Sequence, residues 1–248
     1  MTGFAGRVVV VTGASRGIGR ATAELLAARG ATVVCAGRDE EALRPLADRL
    51  GGSWFTGDLT EDGACDRLVE TALARHGRLD GLVANAGAGH VGPLAEMTAG
   101  QVRRLVELNL TAPMLLARAA VPVLSERAGV VFVGSIAGAV GVPEESVYSA
   151  GKAGLAAFAE LLAEQLRDRR ITVGTVVPGV VDTDFLRDRA VPYDRRFPRP
   201  VPAERVAAVI ASALRHGGEH FVPRWLGVPA RLSGAAPGLY RRLARRFG

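Results

Sequence analysis

Cysteine is scarce in this chain of 248 residues, which contains only Cys35 and Cys65. Their surroundings show neither a C-x-x-C spacing nor a metal-ligand pattern, which argues against a disulfide framework and against a zinc site. So few cysteines fit a reducing compartment. The four histidines form no convergent pattern. We therefore predict a cytoplasmic protein without a metal site.

Long apolar runs are also absent, since no stretch reaches the roughly 18 residues that a membrane-spanning helix needs. No basic region followed by an apolar run marks a secretory leader. The net charge of +6 arises in residues 224–248, which hold six arginines and no acidic residue, whereas 25 basic and 25 acidic residues balance in the rest. These features argue against a membrane span and against a nucleic-acid partner.

Three polar residue types are rare enough for their positions to be informative. Lys152 is the only lysine among 31 basic residues, and Asn85 and Asn109 are the only asparagines. Only three tyrosines occur, and one of them, Tyr148, lies four residues before Lys152. We expect that the chemistry of such residues is needed where they occur.

Apolar β-branched runs alternate with helical patterns along the chain, which is typical of a parallel sheet covered on both faces. We predict one doubly wound α/β domain over residues 1–222, with residues 184–202 as a substrate lid and 223–248 as a basic extension of the same domain. Strands are predicted at 7–12, 31–37, 54–59, 79–87, 130–135, 171–179 and 219–222. Helices are predicted at 17–29, 38–50, 61–75, 98–121, 147–168 and 202–215.

A glycine-rich turn joins the first strand to the first helix. Gly13, Gly17 and Gly19 let the backbone turn tightly and approach a pyrophosphate at the positive end of the helix. Glycine turns between strand and helix are also common structural punctuation, so the turn alone is weak evidence. In its strand-helix-strand context it predicts a dinucleotide site.

The residue after the second strand distinguishes between the two nicotinamide dinucleotides. An acid there would accept hydrogen bonds from the ribose of NAD, but Arg38 occupies the position. Arg38 and Arg16 together suit a doubly charged 2′-phosphate, which predicts NADP(H). The alternative is that both are ordinary surface arginines. Asp58, at the end of the third strand, either accepts a hydrogen bond from the adenine amino group or caps the following helix.

Tyr148 and Lys152 lie one turn apart on the same face of a predicted helix. An ammonium group beneath a phenol lowers the pKa of the phenol from about 10 toward neutrality. A phenol with such a pKa is suited to general acid catalysis near pH 7. This pair predicts an enzyme rather than a binding module.

These motifs together resemble the short-chain dehydrogenase/reductase family over residues 7 to about 222. The motifs are TGASRGIG at 12–19, NAG at 85–87, Asn109, Ser135, the Tyr148 to Lys152 segment and PGVVDT at 178–183. The resemblance implies a Rossmann domain with a seven-stranded sheet of order 3-2-1-4-5-6-7 and hydride transfer at the nicotinamide. It also implies a small-molecule carbonyl or alcohol substrate.

The resemblance implies four catalytic residues. Tyr148 would donate a proton to the substrate oxygen, and Lys152 would lower its pKa and bind the nicotinamide ribose. Ser135 would orient the substrate carbonyl, and Asn109 would hold a helix kink and a water in the proton relay. The alternative interpretations are a strand-end hydroxyl for Ser135 and a satisfied buried amide for Asn109.

The resemblance further implies a set of cofactor contacts. Thr12 would hold the glycine turn, and Thr183, unless it only caps a helix, would contact the nicotinamide carboxamide. The full predicted set is Thr12, Gly13, Ser15, Arg16, Gly17, Ile18, Gly19, Arg38, Asp58, Leu59, Asn85, Ala86, Gly87, Tyr148, Lys152, Pro178, Gly179, Val181 and Thr183.

The C-terminal extension departs from the branch of the family that reduces β-ketoacyl carrier conjugates, which ends soon after its last strand. Leu239, Leu243 and Phe247 lie opposite four arginines, which predicts an amphipathic basic helix. Such a helix docks on an anionic membrane or, the interpretation we favour, packs on its own domain or a partner subunit.

The predicted function is an NADP(H)-dependent carbonyl reductase or alcohol dehydrogenase acting on a ketone or secondary alcohol. The alternatives are a membrane-peripheral dehydrogenase of steroid-like or lipid substrates and a non-catalytic NADP-sensing regulator. A homo-oligomer assembled through the helices at 98–121 and 147–168 is expected.

Overall fold

The computed structural model describes residues 3–187, 193, 198–238, 240 and 242. Nine strands occur in these residues. They are β1 (Val8–Thr12), β2 (Thr32–Gly37), β3 (Ser53–Thr56), β4 (Leu79–Ala84), β5 (Leu124–Val133), β6 (Thr172–Pro178), β7 (Val181–Asp182), β8 (Val201–Pro202) and β9 (Gly218–Val222). Ten α-helices connect them in the described part of the chain. They are α1 (Gly17–Ala28), α2 (Glu40–Leu50), α3 (Ala64–His76), α4 (Ala99–Val106), α5 (Ala112–Ala120), α6 (Ile136–Val140), α7 (Ser146–Gln165), α8 (Asp184–Arg187), α9 (Ala203–His216) and α10 (Gly227–Ala235).

Seven of the strands form one sheet in the order β3-β2-β1-β4-β5-β6-β9, and every neighbouring pair is parallel. The two-residue strands β7 and β8 pair separately. Because β9 is the seventh strand of the main sheet along the chain, this order confirms the predicted 3-2-1-4-5-6-7 arrangement. The chain reverses its direction of progress across the sheet between β1 and β4, where ligands bind in such folds.

Successive residues of the strands face opposite sides of the sheet, and both sides are covered. Val10 joins a buried cluster with residues of α3, α5 and α7, whereas Val9 and Val11 join a second cluster with α1, α2 and α9. All three side chains are at most 1% exposed. A sheet buried on both faces explains why the strands are continuously apolar rather than alternating.

The predicted helix at 98–121 is interrupted, and two neighbouring predictions need correction. A π-helical turn over Glu107–Thr111 separates α4 from α5. Strand β5 begins at Leu124 rather than at residue 130, because its pairing with β4 jumps from Leu79–Leu124 to Gly81–Gly129 and a polar, irregular segment lies between. The short helix α6 was not predicted, since five residues give no periodic signal.

The C-terminal extension folds back onto the domain. After β9, a 3₁₀ turn over Arg224–Leu226 leads into α10, which packs against α6. Leu239, Leu243 and Phe247 of the predicted amphipathic helix lie outside the described residues, as do 188–192 and 194–197 of the predicted lid. Within the described ranges, no helix has the length and apolarity that crossing a membrane requires.

Candidate active site

A cavity of about 1280 Å³ lies at the carboxyl ends of the sheet strands. All four predicted catalytic residues line it. So do all the predicted cofactor residues except Thr12 and Gly19, which belong to the glycine turn but do not line the cavity. The structure therefore brings together in one cavity residues that lie up to 170 positions apart in the sequence, from Gly13 to Thr183.

The glycine turn needs glycine for two separate reasons. Gly13 and Gly17 have φ angles of 65° and 55°, in the left-handed region that side chains disfavour. A Cβ atom on Gly19 would lie only 2.1 Å from the carbonyl oxygen of Gly13. The N-terminus of α1 carries no side-chain cap, so its first amide groups remain available to an anionic ligand.

Thr12 and Asn85 fasten this turn to the end of β4. The hydroxyl of Thr12 accepts from the amides of Asn85 and Ala86, each at 3.0 Å, and donates to the carbonyl of Val83. The side-chain amide of Asn85 donates to the carbonyl of Thr12 at 2.9 Å. The glycine turn and the end of β4 are thus hydrogen-bonded to one another.

Asp58 belongs to a charged cluster rather than to a helix cap. One of its carboxylate oxygens accepts from the amide of Thr60 at 3.0 Å and from its hydroxyl at 2.8 Å, and the other is paired with Arg104. Burial opposes ionisation, but the hydrogen bonds and Arg104 outweigh it and lower the pKa of Asp58 to about 2. The helix-cap alternative is wrong, because α3 begins only at Ala64 with Gly63 as its N-cap.

Lys152 is buried, and Tyr148 lies one turn before it on α7. The amine donates to the carbonyl of Val133 at 2.9 Å and lies 5.8 Å from the centroid of the Tyr148 ring. Burial lowers the pKa of Lys152 to about 8. The amine therefore remains mainly protonated near pH 7 and places a positive charge close to the phenol.

Asn109 lies in the π-helical turn and is fully buried. Its amide nitrogen donates to the carbonyls of Ala88 at 2.8 Å and Leu105 at 3.0 Å, whereas no group among the described residues hydrogen-bonds to its Oδ1. The alternative of a satisfied buried amide is therefore wrong. A Cβ atom on Gly87 would lie 2.8 Å from this oxygen and 3.5 Å from the amine of Lys152, so both groups face the same small space.

Ser135 follows β5 and is the N-cap of α6, where its hydroxyl accepts from the amide of Ala137 at 3.2 Å. This hydrogen bond restrains the hydroxyl, which lines the cavity. Phe185 of α8 also lines the cavity, with its ring centroid 6.1 Å from that of Tyr148. Ser135, Tyr148 and Phe185 all line the cavity.

Several cavity residues were missed by the sequence analysis. Their positions depend on long-range packing, and the sequence carries no local signal for them. One of them lies on α4, others lie at the end of α6 and in the connection from α6 to α7, and the rest come from the extension after β9. The missed residues include Arg104, Val140, Val142, Glu144, Glu145, Trp225, Leu226 and Pro229. In the described residues, no group of three or more His, Cys, Asp or Glu side chains is placed to hold a metal ion.

Comparison with known proteins agrees with this geometry. The family model for short chain dehydrogenases matches residues 7–192. The chain is 36% identical over 219 residues to the 3-oxoacyl-(acyl-carrier-protein) reductase FabG of Salmonella typhimurium, covering 85% of this chain and 89% of that protein. It is 42% identical over 192 residues to the cis-4-hydroxycyclohexanecarboxylate dehydrogenase of Sinomonas cyclohexanicum, covering 74% and 76%.

Among solved structures, a short chain dehydrogenase from Burkholderia cenocepacia in complex with NADP matches with a TM-score of 0.79 and 30% identity, covering 88% of this chain and 96% of that one. The fold and the cavity define an oxidoreductase that acts on CH–OH or carbonyl groups with a nicotinamide dinucleotide. The chain belongs to the short-chain dehydrogenase/reductase family. The expected family and enzyme class are thereby confirmed.

Proposed function

We propose that this chain is an NADP(H)-dependent carbonyl reductase or alcohol dehydrogenase, with Tyr148 as its acid and base. The observation that carries the proposal is that Ser135, Tyr148, Lys152 and Asn109 all line the same cavity as the glycine turn. A non-catalytic NADP sensor would have no use for a buried ammonium beside a phenol. Burying that ammonium is energetically unfavourable, which is expected where its charge serves to lower the pKa of the neighbouring phenol of Tyr148.

The cavity fits the cofactor because its glycine turn leaves space where side chains would block it. Gly13, Gly17 and the uncapped amides of α1 would hold the pyrophosphate. Asn85, Ala86 and Gly87 would flank the adenosine and nicotinamide sides, and Thr183 would contact the carboxamide. When bound, the nicotinamide supplies or accepts the hydride.

Arg16 and Arg38 are the groups that favour NADP(H) over NAD(H). Both line the cavity with exposed guanidinium side chains, and they come from the glycine turn and from the end of the adjacent strand β2. Two guanidinium groups bind a doubly charged phosphate through charge-assisted hydrogen bonds. The complex of the Burkholderia relative with NADP supports this choice.

Asp58 would accept a hydrogen bond from the adenine amino group, and the ion pair with Arg104 would hold the carboxylate in position. A carboxylate offers about four acceptor sites. Three are occupied in the structure, two by Thr60 and one by Arg104. One site is left, which suits a single amino hydrogen of adenine.

In the reducing direction, the phenol of Tyr148 donates its proton to the substrate carbonyl oxygen as the carbon atom is reduced. In the oxidising direction, the phenolate removes the alcohol proton. The charge of Lys152 favours the phenolate, and the hydrogen bond to Val133 holds that charge in place. Ser135 donates a hydrogen bond to the same substrate oxygen.

The proton that Tyr148 gives up must be replaced from solvent. Asn109 Oδ1 is a buried acceptor beside the amine of Lys152, and no residue in the described part of the chain hydrogen-bonds to it. A buried acceptor of this kind is normally satisfied by water. We place a water there, which would pass protons to Lys152 and from it toward Tyr148.

The proposed substrate is a ketone or a secondary alcohol of moderate size. We propose the cytoplasm as the location of the enzyme. The relatives include a 3-oxoacyl reductase and a dehydrogenase of a ring alcohol, and both act on that functional group. A homo-oligomer is proposed through α5 and α7, where Leu115 and Leu161 are 44% and 65% exposed. Large apolar side chains left exposed on long helices favour burial against a second copy.

The direct test is titration of the purified protein with NADPH and NADH, followed by turnover of a ketone panel, with Tyr148→Phe in parallel. We expect tighter binding of NADPH and oxidation of NADPH by ketones in the wild type. Tyr148→Phe should bind NADPH equally well and lose turnover. Absence of NADPH binding would overturn the proposal.

A further inference from the structure

The C-terminal extension forms part of the catalytic cavity. Leu226 is buried, and its Cδ1 lies 2.7 Å from where a Cβ atom on Gly179 would stand, so the extension contacts the turn after β6 directly. The amide of Gly179 also donates to the carbonyl of Val222 at 2.9 Å, just before the extension begins. These contacts fix the backbone of the extension where it lines the cavity, with Trp225, Leu226 and Pro229.

Three separate segments line the catalytic end of the cavity, and their side chains are largely apolar. The end of α6 provides Val140 and the segment after it provides Val142, which is held by a hydrogen bond from its amide to the hydroxyl of Ser149 at 3.3 Å. Helix α8 provides Phe185 and the extension provides Trp225, which are 39% and 42% exposed. Aromatic side chains left half exposed inside a cavity favour binding of an apolar ligand.

Charge divides the two ends of the cavity. Of the cationic side chains in its described lining, Arg16, Arg38 and Arg104 lie at the dinucleotide end. The fourth, Lys152, is buried and bonded to Val133. Glu144 and Glu145 line the catalytic end. Acidic side chains at this end disfavour an anionic substrate, because like charges repel each other.

We infer that Trp225 and its neighbours in the extension form a substrate wall that selects bulky, uncharged ring ketones and the corresponding secondary alcohols. The inference rests on the proposed function, because it assigns a substrate class to the same site.

The experiment compares Trp225→Ala with Val228→Ala. Val228 is 68% exposed and three residues further along the extension, but it does not line the cavity, so it is the matched control. Two substrate pairs are used with NADPH: 2-decalone against 2-butanone for size, and ethyl acetoacetate against acetoacetate for charge. Calorimetric binding of 2-decalone to the cofactor-free protein gives a second readout that does not depend on turnover.

We expect the wild type to prefer 2-decalone and ethyl acetoacetate over their partners by roughly tenfold or more in kcat/KM. Trp225→Ala should lose roughly tenfold in kcat/KM for 2-decalone, mainly through KM, and change little with 2-butanone. The calorimetric affinity should fall by a similar factor. NADPH affinity and the thermal unfolding temperature should stay those of the wild type, and Val228→Ala should leave every value unchanged.

The outcomes separate the inference from the proposed function. If the wild type reduces ketones but prefers acetoacetate, or if Trp225→Ala affects large and small ketones equally, the substrate wall is refuted while the reductase stands. If the wild type binds no NADPH and reduces nothing in the panel, the proposed function itself fails.

Discussion

Replacement of Lys152 by methionine should make the stability of the cofactor-free protein less dependent on pH. Burial lowers the pKa of this lysine from 10.5 to about 8. Below pH 8 the folded chain holds a buried ammonium at full cost. Between pH 8 and 10.5 the unfolded chain binds more protons than the folded one, so stability rises with pH.

The size of this effect follows from the pKa difference, which corresponds to about 3 kcal/mol of unfolding free energy. Wild type should therefore gain about 3 kcal/mol relative to Lys152→Met between pH 7 and pH 10.5. Groups whose pKa values are the same in both proteins cancel in the comparison. The phenol of Tyr148 does not cancel, because Lys152 alters its pKa, and the Tyr148→Phe variant shows the gain without that phenol. Methionine is unbranched like lysine, only one atom shorter, and uncharged, although it leaves the carbonyl of Val133 without its donor.

Urea unfolding of both proteins at half-unit steps from pH 7 to pH 10.5 measures the difference. The Tyr148→Phe variant is the control, since it retains Lys152 and should retain the gain. A constant difference between wild type and Lys152→Met across this range would refute the claim that Lys152 is held as a buried, destabilised cation.

Three further substitutions test other parts of the site. Gly87→Ala should lower kcat by roughly tenfold or more, because the new Cβ atom would lie 2.8 Å from Asn109 Oδ1. The control is Gly234→Ala, whose new Cβ atom would have open space around it. Equal activity of the two variants would contradict the prediction. Arg104→Gln should raise the Kd of NADPH severalfold without lowering kcat, measured by NADPH fluorescence, whereas the exposed neighbour Arg103→Gln should not; an unchanged Kd would argue against positioning of Asp58. Arg38→Gln should reduce the preference for NADPH over NADH by roughly 10- to 100-fold, as expected for one charge-assisted hydrogen bond, while Arg20→Gln on α1 leaves it intact; an undiminished preference would make Arg38 an ordinary surface arginine.

The sequence analysis predicted those parts of the site that depend on short-range patterns. The glycine turn follows a strand and begins a helix, so spacing alone places Gly13, Gly17 and Gly19. Tyr148 and Lys152 share a helix face because they are four residues apart. Composition adds a second signal, because the rarity of lysine and asparagine in this chain singles out Lys152 and Asn109.

Other features depend on contacts between distant segments, which local patterns do not encode. The π-helical turn around Asn109 leaves the apolar pattern of residues 98–121 continuous, so one unbroken helix was predicted. The pairing of Arg104 with Asp58 joins α4 to the end of β3 across 46 positions. Trp225 reaches the cavity only because α10 folds back onto α6. Sequence also cannot show that Asn109 Oδ1 lacks a partner, since that requires its full surroundings.

The most direct test of the account is a single-turnover measurement with enzyme-bound NADPH and a saturating ketone, comparing wild type with Tyr148→Phe across pH 6–9. The account predicts rapid NADPH oxidation in the wild type. It predicts a loss of roughly a hundredfold or more in the variant, which should still bind NADPH with wild-type affinity. Rapid oxidation by Tyr148→Phe, with the same pH profile as the wild type, would contradict the assignment of Tyr148 as the proton donor.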